Sequence, residues 1–256
     1  MKILVNYANS TYKNAQKFNS KTGLTVGNFD HVYEYCPELI DPIFYEKNKL
    51  ILGQRKGAGL WLWKPYIILD AIKKSKSGDL IVYSDSASHF IQKVDYLTSL
   101  PSEFNQDVIP FELERHEGEW SKRDAFVLMG VDGLGFERTR QRLGSPIIVR
   151  TSDVSLDFFH EYLELAQDIR IIGDGPNTCD LENYPGFQSN RHDQTIFSLL
   201  SKKHGLIGFR DPSQWGNHDV DMYPNSKYPQ IMELTRQASP KQAGIKYRML
   251  RFLKLR

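Results

Sequence analysis

The first 85 residues alternate between strand-like and helix-like segments, and this alternation limits the folds that the chain can adopt. KILVNY and DHVYEYC are rich in β-branched and aromatic residues, which predicts two strands. WKPYIILDAIKKSKSG has Pro65 in its first turn, lysines late and Gly78 as a terminator, which predicts a helix before the strand DLIVYSD. We therefore predict the α/β class, with a mixed, mostly parallel central sheet flanked by helices.

The second half of the chain continues this mixture. SPIIVRT (145–151) predicts a strand, and the segment after it predicts a helix with Ser152 or Asp153 as its cap. Residues 173–190 are rich in Gly, Pro and Asn, so we predict a long loop, and loops of that length are usually functional or mobile. HDQTIFSLLSKKHG then predicts a helix that Gly205 ends.

Length and composition favour one globular domain with a short basic tail. The chain has 256 residues, of which 12% are aromatic and 25% charged, and this excludes a disordered protein. The net charge of +2 argues against a dedicated nucleic-acid binder. Cys36 and Cys179 form no metal-ligand spacing. We expect residues 1–238 to form a single domain and residues 239–256 a basic amphipathic tail.

The N-terminal segment and the basic C-terminal tail indicate where in the cell we expect the protein. The N-terminal apolar run is too short for a signal peptide, and no stretch reaches the length of a membrane span, so we expect a cytoplasmic protein. From Pro240 onward the tail carries six basic residues and no acid, with apolar residues at helical spacing. It is either an interfacial helix on an anionic membrane surface, at the inner face of the membrane, or a helix docked on the core.

Asp85 occupies the position where the predicted strand DLIVYSD ends. In open α/β sheets, ligands bind beyond the carboxyl ends of the strands, and carboxylate oxygens suit Mn²⁺ or Mg²⁺. The carboxylate is therefore either a metal ligand or an ordinary turn residue. His218, in the polar segment DPSQWGNHDVD, is a candidate for a second metal ligand, although a solvated loop explains it equally well.

Two further segments concentrate polar side chains. NRHDQ (190–194) places an arginine, a histidine, a carboxylate and an amide side by side at a predicted helix start. Asp193 has a structural explanation as well, because acids favour helix N-termini. RKGAGLWLWKP offers Arg55 and Lys64 to a phosphate, and its glycines allow a close approach of the backbone. Trp61 and Trp63 are either core residues or a sugar platform.

In their order along the chain, these motifs resemble a known family. GAGLWLWKPYIILDAI, GDLIVYSDSAS, SPIIVRTSDVSLDFFHEYL and RHDQTIFSLL resemble nucleotide-sugar glycosyltransferases of the GT-A fold, especially bacterial and viral enzymes of surface-polysaccharide assembly. In that group a Trp-Lys-Pro helix precedes a strand with a short acidic motif, and an Asp-Gln pair opens a later helix. The resemblance covers about residues 53–210 and implies a GT-A-like, Rossmann-type fold.

The resemblance also implies roles for single residues. Asp85 would correspond to the first acid of an Asp-X-Asp motif that holds Mn²⁺ or Mg²⁺ against the donor diphosphate. Ala87 replaces the second acid, which leaves Ser86 and Ser88 as hydrogen-bond partners for the donor ribose or phosphate. Asp193 would correspond to the later acid that acts as the catalytic base or holds a sugar hydroxyl.

Other residues are implied by their position beside these. Gln194 and His192 would accompany Asp193 as catalytic residues, and Asn6 and Tyr7, at the end of the first strand, would face the nucleotide. Positive charge at the diphosphate would come from a group of five basic side chains, namely Arg55, Lys64, Lys122, Arg123 and Arg191.

The expected function is glycosyl transfer from a nucleotide-sugar donor to a glycan or lipid-linked acceptor in surface-polysaccharide synthesis. The missing second acid leaves one alternative open, a catalytically inactive sugar-binding, nucleotide-binding or scaffold protein of the same fold. A metal-dependent phosphoryl or nucleotidyl transferase is a third reading, since sheets of this type support many chemistries.

Overall fold

Ten short strands form one central sheet and two small ones. The structure is a computed structural model that describes residues 1–238. The basic tail predicted at 239–256 lies outside the described residues. The strands are β1 (Lys2–Tyr7), β2 (His31–Tyr35), β3 (Leu80–Tyr83), β4 (Ser88–Phe90), β5 (Val108–Ile109), β6 (Phe111–His116), β7 (Arg140–Arg142), β8 (Ile147–Arg150), β9 (Phe209–Arg210) and β10 (Met232–Leu234).

The central sheet has the order β2-β1-β3-β8-β5. Strand β1 pairs in parallel with β2 and β3, whereas β8 is antiparallel to both β3 and β5. Four of the five strands therefore run in one direction, which confirms the predicted mixed, mostly parallel sheet. Strands β1 and β3 end side by side, so Tyr7 and Tyr83 lie at the same edge as the Asp85 loop.

Eleven right-handed α-helices flank these sheets in the described part of the chain. They are α1 (Lys13–Thr22), α2 (Pro42–Lys47), α3 (Lys49–Leu52), α4 (Trp63–Lys74), α5 (Asp95–Thr98), α6 (Leu100–Glu103), α7 (Glu117–Trp120), α8 (Arg123–Leu128), α9 (Asp153–Ala166), α10 (Ile169–Ile172) and α11 (Asp193–Lys203). No helix of residues 1–238 is long and apolar enough to span a bilayer.

Alternating residues of β1 and β3 separate the core into two layers, because successive side chains of a strand point to opposite faces. Ile3 and Ile81 belong to one apolar cluster, which also contains Ile67 of α4 and Phe197 of α11. Leu4 and its neighbours belong to the other, which the short helices α5 and α6 and strands β4 and β10 cover. Both layers are closed to water, so the sheet is a rigid platform for the loops at its edge.

The last described segment returns to the edge of the central sheet. Strand β10 pairs antiparallel with β4, and the backbone N–H groups of Thr235 and Arg236 both donate to the carbonyl of Ala87. The chain beyond β10 therefore lies directly against the loop that contains Asp85. The third sheet has the order β7-β6-β9.

The long loop at 173–190 is tied to the start of α8. The buried carboxylate of Asp124 accepts hydrogen bonds from the backbone N–H groups of Thr178 and Cys179, at 2.8 and 2.9 Å. Lys122 forms an ion pair with Asp124 at 3.2 Å and donates to the carbonyl of Gly175 at 2.9 Å. The loop is thus anchored by a buried charge pair at its middle.

We predict that Asp124→Asn destabilises the protein, because the amide cannot neutralise the buried Lys122. The free energy of unfolding should fall by about 3 kcal/mol, as when one partner of a buried pair is removed. Urea denaturation measures the change. Asp157→Asn, at an exposed position of α9, is the matched control and should change stability little. Equal stability of the two variants would contradict this anchoring role.

The same contacts set a pH dependence. Burial alone would raise the pKa of Asp124, but the N–H groups of Thr178 and Cys179 and the charge of Lys122 hold it below the usual 3.8. A carboxyl whose pKa is lowered by folding stabilises the native state above its unfolded pKa and loses this contribution as the pH falls through the folded value. The stability gap between the wild type and Asp124→Asn should therefore close at acidic pH.

Candidate active site

Three cavities join into one groove at the edge of the sheet where β1 and β3 end. Their volumes are about 410, 440 and 690 Å³. Asp85 and Trp61 line both the first and the second, whereas Arg191 and Gln194 line both the second and the third. Arg236 borders all three. We call them, in this order, the aromatic cavity, the ion-pair cavity and the arginine cavity.

Aromatic rings dominate the aromatic cavity. Tyr7, at the end of β1, stacks on Trp63 with ring centroids 3.9 Å apart and planes inclined by 14°. Tyr12 and Trp61 add two more rings, and Arg55 supplies an exposed guanidinium at the same cavity. Flat apolar faces with a cation nearby can hold a planar, anionic ligand such as a nucleotide.

A left-handed turn at Gly57–Trp61 positions two of these rings. All five residues have positive φ, including Ala58 at 51° and Trp61 at 61°, a conformation that costs a residue with a side chain about 1–2 kcal/mol. A Cβ on Gly57 would approach the Trp61 ring to 2.2 Å, so glycine is required there. The carbonyl of Gly57 accepts a hydrogen bond from Trp63 Nε1 at 2.9 Å. The turn therefore fixes Trp61 and Trp63 together.

Asp85 sits where the aromatic and ion-pair cavities meet, and its loop is held on both sides. Its Oδ1 accepts a hydrogen bond from the Tyr83 hydroxyl at 2.6 Å, and its backbone N–H donates to Ser145 Oγ at 2.9 Å. The Ser86 hydroxyl donates to the carbonyl of Tyr7 at 2.6 Å, and the Ser88 hydroxyl donates to the carbonyl of Asp85 at 2.7 Å. The half-buried carboxylate keeps Oδ2 for another partner.

A buried ion pair forms the floor of the ion-pair cavity. Lys64 Nζ, from α4, lies 2.6 Å from Asp193 Oδ2, at the first residue of α11, and both side chains are only 4% exposed. The Tyr162 hydroxyl donates to the Asp193 carbonyl at 3.0 Å. A Cβ on Gly144 would lie 3.1 Å from Lys64 Nζ, so this residue has to be small for the pair to fit against the strand end.

Burial and neighbouring charges change the pKa of both partners. Burial raises the pKa of Asp193, and the Asp85 carboxylate adds to this, while Lys64 opposes it. Burial alone would lower the pKa of Lys64, but the charges of Asp193 and Asp85 outweigh it and raise the pKa. Lys64 therefore carries a fixed positive charge between the two carboxylates.

His192 and Gln194, the two neighbours of Asp193 in the chain, are held by different contacts. His192 is buried and has positive φ, its ring packs against that of Trp61 at 5.4 Å, and its Nδ1 bonds the carbonyl of Ile172 at 2.8 Å. Because a carbonyl only accepts, Nδ1 carries a proton. The buried Nε2 lies 3.7 Å from Asp174 Oδ1, on the side of the 173–190 loop. Gln194 Nε2 donates to Gln141 Oε1 at 2.8 Å, which fixes the amide between two cavities.

The structure brings most of the predicted site residues to this groove but not all of them. Asn6 is completely buried, and its amide bonds Gln16, Asn19 and Ser20 of α1. Ser88 is also buried, beside Asn19. Neither borders the three cavities. Their polar groups join α1 to the sheet, and the predicted contact with a donor stays untested.

Two predicted cations lie outside the groove, and one predicted metal ligand lies in a different cavity from Asp85. Lys122 binds the 173–190 loop, and Arg123 pairs with Asp132 at 2.8 Å and lies over the Tyr184 ring. Neither lines the groove. His218 borders the arginine cavity, whereas Asp85 borders the other two. Residue type suggested these roles, but the contacts of a side chain depend on the path of the chain.

Sequence reasoning missed three residues that shape the site. Arg236 borders every cavity, Ser145 holds the backbone of Asp85, and Gly144 makes room for the ion pair. Ser145 opens the predicted strand at 145–151 and Gly144 precedes it, so the rule that ligands bind at the carboxyl ends of strands does not indicate them. They reach the site because β8 runs antiparallel to β3. Arg236 is an isolated arginine, and nothing in its local sequence indicates a site.

A divalent metal such as Mn²⁺ or Mg²⁺ needs several oxygen ligands in one place. Among residues 1–238, no group of three or more His, Cys, Asp or Glu side chains could hold a metal ion. Asp85 is a single carboxylate with one oxygen already bonded to Tyr83, and Lys64 supplies positive charge near it. The described side chains therefore do not form a metal-ligand set by themselves.

We predict that the Lys64–Asp193 pair is strongly coupled. Lys64→Met and Asp193→Asn should each lower the free energy of unfolding by about 3–5 kcal/mol, since each leaves a buried group without its partner. The double variant should lose clearly less than the sum of the two.

Urea denaturation of the four proteins in this cycle measures the coupling. The matched control is the exposed pair Lys49–Glu46, at 3.2 Å with both side chains 66% exposed. Lys49→Met and Glu46→Gln should show a coupling of about 0.5 kcal/mol. If the buried pair shows no more than this, Lys64 and Asp193 do not act as a unit.

Comparisons with known proteins find similarity at the level of structure. Neither a protein-family model nor a curated protein matches the chain. Among solved structures, the apo form of mouse xyloside xylosyltransferase 1 matches with a TM-score of 0.51 at 8% identity, over 91% of this chain and 97% of that one.

Two further solved glycosyltransferases also match. The bifunctional enzyme WbbM, in its apo structure, has a TM-score of 0.49 at 12% identity, over 90% of this chain and 45% of that one. A glycosyltransferase involved in the glycosylation of the major capsid of PBCV-1 has a TM-score of 0.46 at 11% identity, over 95% of this chain and 98% of that one. At such identities the similarity to the mouse enzyme concerns the fold: the chain has a glycosyltransferase fold, as its motifs predict.

Proposed function

We propose that the protein is a glycosyltransferase that moves a sugar from a nucleotide-sugar donor to a hydroxyl group of a glycan or lipid-linked acceptor in surface-polysaccharide synthesis. The observation that carries the proposal is the buried Lys64–Asp193 pair beside Asp85, at the centre of a continuous groove. The fold shared with a xylosyltransferase supports the same reaction class.

In this proposal the donor occupies the aromatic and ion-pair cavities. The base of the nucleotide packs among Tyr7, Tyr12 and Trp61, whose rings line the aromatic cavity. The diphosphate lies toward Arg55 and Lys64, and the sugar lies near Asp85. Fixed positive charge there stabilises the leaving nucleoside diphosphate, since preorganised charges act strongly in a site that excludes water.

The acceptor approaches from the side of the arginine cavity. Its hydroxyl oxygen forms a bond to the anomeric carbon, the bond from that carbon to the diphosphate oxygen breaks with its electron pair, and Asp193 takes the hydroxyl proton. As Asp193 becomes neutral, the charge of Lys64 is left to balance the leaving diphosphate. Gln194, fixed by Gln141, orients the acceptor, and His192 supports the site by packing on the Trp61 ring.

Metal use stays a separate prediction. The described residues do not complete a metal-ligand set, and none of the steps above passes through a metal. Binding of Mn²⁺ or Mg²⁺ at Asp85, with His218 as a partner, is tested by measuring donor affinity with and without each ion. A requirement for the ion in donor binding would establish the cofactor.

An inactive binding protein of the same fold enters the test as an outcome. The stretch from Asp85 to Ser88 contains one carboxylate, whereas a full acidic motif has two, and this difference supports the alternative. Such a protein would bind donor without transfer or hydrolysis.

Attachment of residues 239–256 to an anionic membrane is tested by sedimentation with phosphatidylglycerol vesicles.

We predict that Asp85→Asn weakens donor binding without unfolding the protein. The asparagine oxygen still accepts the hydrogen bond of Tyr83, so the melting temperature should stay nearly unchanged. A neutral amide accepts a hydrogen bond from the donor sugar more weakly than the carboxylate does, which should lower the affinity about tenfold. Isothermal titration calorimetry with a panel of UDP-, GDP- and CMP-sugars measures the effect, with Asp157→Asn as control. No binding of any donor to the wild type would contradict the proposed function.

We also predict the pH dependence of transfer. A general base works only when deprotonated, so the rate falls as the pH drops through the pKa of Asp193. Because burial and Asp85 raise that pKa above the usual 3.8, the acidic limb of the kcat profile should lie above 3.8. An activity that stays constant down to that pH would show that Asp193 is not the base.

A further inference from the structure

We propose that the arginine cavity binds an anionic group of the acceptor, a carboxylate or a phosphate next to the hydroxyl that receives the sugar. This inference rests on the proposed function and deepens it by naming the chemistry of the acceptor. The cavity is the largest of the three, at about 690 Å³, and it continues directly from the ion-pair cavity.

Arginines and tryptophans form one wall of this cavity. The guanidinium of Arg191 lies 4.0 Å from the centre of the Trp120 ring, and that of Arg115 lies 5.6 Å from the same ring. Arg236 lies 5.9 Å from the ring of Trp215. Arginine stacked on an aromatic ring keeps its edge N–H groups free, so these groups can bind the oxygens of an anion in pairs.

The three arginines have no counter-charge in the described part of the chain. Within residues 1–238, Arg115, Arg191 and Arg236 make no ion pair and no side-chain hydrogen bond. Partial burial lowers the pKa of Arg191, and the like charges of Arg236 and Arg115 lower it further. Three cations that repel one another at one wall would be stabilised by a bound anion.

The acids of the same cavity are engaged on its other side. Glu112 lies 3.7 Å from Arg142 and accepts a hydrogen bond from Tyr223. Asp219 pairs with Arg140 at 3.1 Å, and Asp211 accepts from the N–H of Ser213 at 2.8 Å. Of the four carboxylates that line the cavity, Glu114 alone, exposed at its rim, has neither kind of contact among the described residues.

The position of the arginines favours the acceptor over the donor. Arg115 borders only the arginine cavity, at the far end of the groove from Tyr7 and Trp63. Arg191 and Arg236 stand where this cavity meets the ion-pair cavity. An anion held between them places a neighbouring hydroxyl toward Asp193, and the faces of the two tryptophans can hold its sugar rings.

The test compares three probes on the full chain. Methyl β-D-glucuronide carries a carboxylate, farnesyl diphosphate carries the phosphate of a lipid carrier, and methyl β-D-glucoside is neutral. At low ionic strength, at least one anionic probe should bind about tenfold more tightly than the glucoside, because hydrogen bonds to charged groups are the strong ones. Which anion binds identifies the source of the charge. Equal binding of all three would overturn the proposal.

Arg115→Gln should remove this preference, while UDP binds as it does to the wild type. The matched control is Arg138→Gln, whose side chain is 88% exposed and lies outside the groove. If Arg115→Gln weakens UDP binding as much as it weakens binding of the anionic probe, the arginine belongs to the donor site. That result would overturn the inference and leave the proposed function intact. If no nucleotide-sugar binds the wild type, the proposed function fails, and the acceptor assignment fails with it.

Discussion

The buried contact between Lys64 and Asp193 organises the site. Lys64 belongs to the helix that leads into β3, and Asp193 opens a helix far along the chain, so the ion pair joins two parts of the fold at the edge of the sheet. Without each other, both charges would be costly to bury. Their pairing lets the protein keep a carboxylate and an ammonium group away from bulk water. Electrostatic interactions are stronger in this protected environment than in water.

The groove around this pair changes character along its length. Aromatic rings line one end, and arginines that form no ion pair within residues 1–238 line the other, with Asp85 and the ion pair between them. The strained turn at Gly57–Trp61 and the return of the chain at Arg236 close the groove from two sides. Strained backbone and buried charge both lower the stability of the folded state, and functional sites commonly keep such features because they hold side chains in position.

Local patterns predicted much of this structure because strands and helices follow from hydrophobic periodicity and end signals. The start of the helix after Leu62 and the cap at Ser152 agree with the sequence. The predicted stop at Gly78 is wrong, because that helix ends at Lys74 and Gly78 belongs to the turn before β3. Residue type alone does not identify the cap of the short turn before α1, where Asn9, and not the neighbouring Ser10, accepts the hydrogen bond of the Tyr12 N–H. Both residue types cap helices, and the backbone geometry of the turn decides between them.

The sequence by itself determined the α/β class, the place of Asp85 at a strand end and the start of a helix at Asp193, because each depends on neighbours along the chain. Only the tertiary structure decided which charges meet. Lys64 and Lys122 look alike as sequence, yet one pairs with Asp193 in the groove and the other anchors a loop. Arg236 likewise reaches all three cavities only because β10 returns to β4. Such contacts depend on the path of the whole chain, which no local pattern encodes.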